Sequence, residues 1–164
     1  MNSSAGKVIA FTASIFIVMV GLFYLSSSEN DSVLLPKLTP GSYRPVITVG
    51  GSPVSVILAD TPQERARGLS GRSALSPQQG MLFIFDKDDY YGIWMKDMNF
   101  AIDIVWIDAE GNIVDIKKHV TPESYPEVFS PKTTARYVLE LPSDFTEIRN
   151  ITVGGKVDLS AIGM

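Results

Sequence analysis

The stretch ARYVLEL, Ala135 to Leu141, alternates without a break: Ala135, Tyr137, Leu139 and Leu141 fall on one side, Arg136, Val138 and Glu140 on the other. Side chains of a strand point to opposite faces with a period of two, so the segment reads as a strand with one face in the core. Its surroundings repeat the signal. MLFIF (Met81 to Phe85) is apolar on both faces, as a central strand must be. Further strands are expected at Tyr90–Met95, Phe100–Ile107, Ile113–Val120 and Lys156–Leu159. Asp86–Asp89 reads as a turn between two of them, and Asp108-Ala109-Glu110-Gly111 as a hairpin turn.

Nearer the N-terminus, PVITVGGSPVSVILA (Pro45 to Ala59) places alternating β-branched residues on both sides of Gly50-Gly51, a pair suited to the positive φ angles of a tight hairpin. Thr61-Pro62-Gln63-Glu64 then supplies an N-cap, a proline at the first helical position and a glutamate three residues after the cap. A short helix should start there and end near Gly68 or Gly71. Ser143 to Ile148 suits one more helical turn. Many short strands with little helix predict a mainly β domain, a compact β-sandwich or barrel of jelly-roll-like form with one or two short helices.

The domain does not begin the chain. Val8 to Leu25, VIAFTASIFIVMVGLFYL, carries no charge, follows Lys7 and precedes Glu29 and Asp31. As a helix rising ~1.5 Å per residue it would reach ~27 Å, close to the ~30 Å of a hydrocarbon core. Positive charge before the run and acids after it predict a cytoplasmic N-terminus and an extracytoplasmic C-terminal domain, as in a single-pass protein of a bacterial-type cell membrane. The alternative is a cleaved signal peptide, with Ser26 and Ser28 as small residues before Glu29, which would release the domain to the envelope or medium. The expected organisation is an anchor or signal over residues 1–28, an extracytoplasmic linker over 29–43 containing Pro36, Pro40 and Gly41, and a β-rich domain over 44–164.

The 164 residues have a formal net charge of −4 and no basic run with interleaved aromatics, which argues against a nucleic-acid partner. The absence of cysteine excludes disulfides, thiol nucleophiles and thiolate metal sites. With one histidine, His119, on a strand face shared with Asp115 and Lys117, neither a metal nor a cofactor is expected, and His119 is expected to point at solvent. No Gly-x-Ser-x-Gly elbow or phosphate-cradling glycine loop occurs.

Taken together, ERARGLSGR (Glu64 to Arg72), GMLFIF (from Gly80), WMKDM (from Trp94), Asp103 followed by IVWIDAEGNIV, and YVLELP (from Tyr137) resemble the domain-of-unknown-function 192 family, in the family's order, over roughly Val46 to Val157. The resemblance implies a compact, mainly β domain, often exported or membrane-tethered, without an established activity. Two departures stand out. Ser70 replaces a common methionine after Gly-Leu, and Asp97-Met98 stands where Asn-Thr is frequent.

Four residues are candidates for ligand binding: Arg67, Trp94, Lys96 and Asp103. In an extended WMKDM, Trp94 and Lys96 share a face and suit stacking on a ring beside an anionic group, unless Trp94 belongs to the core. Arg67 and Arg72 offer bidentate anion contacts, or pair with Glu64 and Asp103. Asp103 lies in an apolar strand, so its carboxylate must be paired. It is either a structural anchor held by an arginine or by backbone amides, or a site carboxylate. No residue is assigned a catalytic role. These features predict a non-enzymatic module for an envelope glycan, a small anionic ligand or an envelope protein. The alternative is an envelope hydrolase pairing Asp103 with Glu140 or Glu64.

Overall fold

The computed structural model describes residues 44–163; the apolar run Val8–Leu25 and the linker lie outside the described residues. Among the described residues the architecture is mainly β. A seven-stranded sheet curls into a half-barrel and carries two short helices. The strands are β1 (Val46–Val49), β2 (Ser52–Ala59), β3 (Gln79–Asp89), β4 (Ile93–Trp94), β5 (Ile102–Ile107), β6 (Ile113–Val120), β7 (Val128–Phe129), β8 (Ala135–Pro142) and β9 (Val157–Asp158); the helices are α1 (Pro62–Arg67) and α2 (Phe145–Ile148). The large sheet runs β6-β5-β8-β3-β2-β1-β9, and β4 with β7 forms a separate two-stranded ribbon. The strands thus build one curled sheet with a ribbon beside it, where a jelly roll would have two facing sheets.

Local chemistry explains the elements. Gly50 and Gly51, with φ of +54° and +82°, close the β1–β2 hairpin. Thr61 and Glu64 complete a capping box at the start of α1. The helix stops at Gly68, whose φ of +51° is one that a side chain would resist. Because α1 lies in the crossover between the parallel strands β2 and β3, the loop after it crosses a sheet face and buries Leu69 there.

Two expectations are corrected. Asp86–Asp89 is not a turn but the outer end of β3. The ladder with β8 shifts register between Ile84 and Asp89, and the extension is held by Asp88, which accepts from Arg136 Nε at 2.7 Å. The strand expected at Tyr90–Met95 contracts to Ile93–Trp94 and leaves the main sheet, because Lys96 and Asp97 turn the chain, Asp97 with φ +56°.

All six residues of β5 are buried, since both faces of the sheet are covered at its centre. One core contains Val49, Val56, Leu82, Val105, Ile107, Leu139 and Leu141. The other contains Leu69, Met81, Phe83, Ile102, Ile104, Trp106 and Val138. Along β5, and along β8 from Tyr137 onward, side chains alternate between these cores, which determines where each acid of the two strands points; Ala135, expected beside Tyr137, lies instead in the second core, where the β3–β8 ladder shifts register.

Candidate functional site

The loop after α1 and the turn after β4 meet over the second of these cores. Ser70 Oγ donates to the Lys96 carbonyl at 2.9 Å, Gly71 N–H to the Asp97 carbonyl at 2.9 Å, and Asn99 Nδ2 to the Arg72 carbonyl at 2.9 Å. Ser70, one of the two departures from the family pattern, is thus part of the clasp. Between the two segments lies a small open cleft. Arg67, Gly68 and Ser70 line one side, Trp94, Lys96 and Met98 another, and Phe83 and Glu140 of the sheet also reach it.

Three of the four expected residues, Arg67, Trp94 and Lys96, line this one cleft. Trp94 is 49% exposed rather than core; its ring meets Tyr125 at 5.8 Å, and Lys96 Nζ lies 5.7 Å from its centroid. Only Trp94 of the pair is extended, so their shared surface comes from the turn and not from a strand face. Neither Arg67 nor Lys96 makes an ion pair among the described residues, which leaves two cations at the cleft uncompensated. Arg65 also borders the cleft, but its guanidinium is committed to the Asp60 and Ile84 carbonyls and lies over the Phe85 ring.

Asp103 does not line the cleft. It pairs with Leu141 across β5 and β8, and its side chain enters the other face of the sheet. There Oδ1 accepts from the His119 and Asp144 amides at 2.9 and 3.2 Å, and Oδ2 from the Thr146 amide and hydroxyl at 2.9 and 2.6 Å. The carboxylate thus clasps the end of β6 to the start of α2, and two of its donors, His119 and Asp144, have φ of +51° and +67°. Backbone amides, not Arg67 or Arg72, hold this charge. It fills the role of a structural anchor.

Glu140, named from the sequence only as an acid of the alternative hydrolytic pair, is absent from the expected ligand-binding set. It pairs with Met81 of β3 and Ile104 of β5, so it shares their face and reaches the cleft from beneath. It is 5% exposed, its Oε2 has no hydrogen-bond partner, and burial pushes its carboxyl up to about 8. The signal available was the LEL context, an acid between leucines, although the alternation assigns it to the face of Arg136. Gly80 keeps β8 close at this point: a Cβ there would come within 2.9 Å of the Glu140 carbonyl.

This geometry does not bring the two acids of a hydrolytic pair together. Asp103 and Glu140 occupy opposite faces of the sheet, and Glu64 is held by the Thr61 amide and hydroxyl in the capping box. His119 is 62% exposed in its side chain, and its Nδ1 meets both Ser143 Oγ at 2.7 Å and Asp144 Oδ1 at 3.2 Å. A serine–histidine–acid triad uses the two ring nitrogens separately, so this cluster lacks the triad's geometry. No group of three or more metal-binding side chains occurs among the described residues, and none of their helices is long and apolar enough to cross a membrane. A second concavity, between Leu75, Pro77, Phe145 and Ile148, is apolar apart from Ser143 and Arg149 and gathers no comparable polar set.

Two solved structures resemble most of the chain. A crystal structure of a candidate transcription regulator from Sinorhizobium meliloti 1021 is 26% identical, with a TM-score of 0.66 over 72% of this chain and 93% of that one. A protein of unknown function from Novosphingobium aromaticivorans DSM 12444 is 25% identical, with a TM-score of 0.65 over 70% of this chain and 83% of that one. No curated protein matches. The model of the domain-of-unknown-function 192 family (DUF192, described as an uncharacterized ACR) matches residues 45–159, and the chain belongs to that family.

Proposed function

We propose that the protein is a binding module of the cell envelope, tethered to the membrane through residues 8–25, which takes a small ligand or the end of a glycan into the cleft of Arg67, Trp94, Lys96 and Glu140. The observation that carries this reading is the meeting of three separate segments on one concavity: three cations without ion pairs among the described residues, a half-exposed tryptophan and a buried carboxyl oxygen without a partner. Interior carboxyl groups are normally hydrogen-bonded, so an unpartnered one that lines a concavity calls for a partner.

Binding rather than catalysis suits a cleft that holds one carboxyl and no nucleophile–base pair. A nucleic-acid ligand does not suit this chain, because a formal net charge of −4 and three lining cations make no basic stripe. The tether rests on the uncharged run Val8–Leu25 between Lys7 and the acids after it.

Nitrogen-15 labelling of the full chain in detergent micelles gives two indole signals to follow during titration with N-acetylglucosamine and with glucuronate. Trp94 should shift saturably with at least one of them. Trp106, buried and donating to the Tyr91 carbonyl at 2.8 Å, should stay still. Trp94→Ala should abolish binding with little loss of stability. A Trp94→Ala chain destabilised by the ~3–5 kcal/mol of a truncated core aromatic, together with no saturable shift, would reduce Trp94 to packing.

A further inference from the structure

Resting on that reading of the cleft, we infer that its occupant is a small organic oxyanion, whose charge is met by Arg67 and Lys96, whose body lies along Trp94, and one of whose oxygens accepts a hydrogen bond from Glu140. The sign of the ligand follows from the lining. Arg65, Arg67 and Lys96 are the cations there, and Glu140 is the sole acid. Arg65 donates through Nη1 to two carbonyls, which fixes its position but leaves its charge unpaired; Arg67 and Lys96, free of ion pairs among the described residues as well, are the cations left to contact an incoming anion. An ammonium ligand would meet repulsion from the cations and could gain only Glu140. An anion gains both cations and loses nothing, provided Glu140 presents a proton.

Glu140 is placed to do so. Its neighbours in register, Met81 on β3 and Ile104 on β5, are uncharged, Phe83 lies beside it in the cleft, and Arg136, on the same strand, is taken by Asp88. No donor reaches Oε2, which is buried, and the charges of Arg65, Arg67 and Lys96, which share the cleft, do not offset that burial. Burial therefore keeps the acid protonated at neutral pH, so that it acts as a donor toward the cleft, as carboxylic acids in apolar sites do. The small size of the cleft and the aromatic surface of Trp94 and Tyr125 beside it suit a ligand with a compact anionic head and a flat or apolar body.

The test uses four probes with one ring and different heads: benzoate, phenyl phosphate, benzamide and benzylammonium, titrated into the full chain in micelles while the Trp94 and Trp106 indole signals are followed. At pH 6.5 benzoate or phenyl phosphate should move Trp94 saturably and benzylammonium should not. Which of the two anions binds tighter identifies carboxylate or phosphate as the source of the oxyanion. Because Glu140 is the one acid lining the cleft and titrates at about 8, affinity for the bound anion should fall about tenfold per pH unit above that point. Glu140→Gln keeps an N–H donor but cannot ionise, so it should bind the anion with a flat profile. Preferential binding of benzylammonium, or a wild-type affinity for the anion that is unchanged from pH 6.5 to 9, would overturn the inference while the cleft remains a binding site. Trp94 indifferent to all four probes would remove the binding reading itself, and this inference with it. The wild-type pH profile gives its answer even if Glu140→Gln folds poorly.

Discussion

Glu140→Gln should make the protein more stable above neutral pH, by an amount set by the burial of this one carboxyl. In the unfolded chain the group has the ordinary value of 4.5; in the fold it is held at about 8. Below the lower value it is protonated in both states and contributes no pH dependence. Between the two the unfolded chain releases a proton that the folded chain retains, so stability falls as pH rises, and above 8 the loss is complete. The gap, at about 1.4 kcal/mol per pH unit, comes to about 5 kcal/mol, of which about 3 kcal/mol falls between pH 5.5 and 8. Glu64, Asp89, Glu123 and Asp158 act in the opposite direction, because local hydrogen bonds lower their carboxyl values, but their contribution is complete once pH exceeds the ordinary carboxylate range. The useful window therefore starts near pH 5.5. Urea unfolding of both full-length chains in mild detergent, followed by the fluorescence of buried Trp106, should give similar stabilities at pH 5.5. At pH 8.5 the glutamine variant should lead by about 3 kcal/mol. A difference that stays constant within about 0.5 kcal/mol across the window would mean that Glu140 is not held protonated in the fold, and the argument for a donor in the cleft would fail with it.

Asp103→Asn removes the charge and turns one of two acceptor oxygens into a donor facing amides and a hydroxyl that need an acceptor, so it should cost about 3 kcal/mol or more by the same unfolding measurement. The Trp94 indole signal should be unchanged in that variant, since Asp103 serves the opposite face of the sheet; a shifted Trp94 with normal stability would reverse the assignment of Asp103 as an anchor. A reporter enzyme fused after Met164 should be active only in a form that requires export, because Lys7 precedes the uncharged run and the acids follow it. Activity of a reporter that works only in the cytoplasm would refute the proposed topology.

How much of this was legible in the sequence is best seen in these two acids. Asp103 attracts notice because it interrupts an apolar strand, and chemistry alone requires that it be paired; the sequence could not say by what, since its donors lie 16 to 43 residues away in β6 and α2. Glu140 attracts less notice. Alternation puts it on the face of Arg136, which reads as the solvent side of ARYVLEL, and for Arg136, 30% exposed in its side chain, that reading is serviceable. Four residues further on, the same face passes beneath the loop after α1 and the turn after β4. Whether a strand face is wet or covered is a non-local property, and the cover here comes from segments 42 to 75 residues upstream. The elements themselves were local and therefore readable: the capping box at Thr61, the Gly50-Gly51 hairpin and the alternation of β8 each depend on neighbours in the chain. The turn at Lys96–Asp97 was not, because an aspartate at φ +56° leaves no distinctive sequence signal, and it was this turn that brought Lys96 beside Trp94 over the cleft.

The register of β5 against β8 then separates the two carboxyls by a single residue: Asp103 stands opposite Leu141, and Ile104 opposite Glu140. That offset turns one acid toward four donors and the other toward none. A buried acid with four donors stabilises the fold and has no capacity left for a ligand. A buried acid with an unpartnered oxygen weakens the fold at neutral pH, and a glutamine or methionine of similar volume would relieve the cost. The protein keeps the weaker choice at the cleft and the stronger one away from it, and this distribution of cost between two adjacent positions is the physical reason to look for the ligand at Glu140 rather than at Asp103.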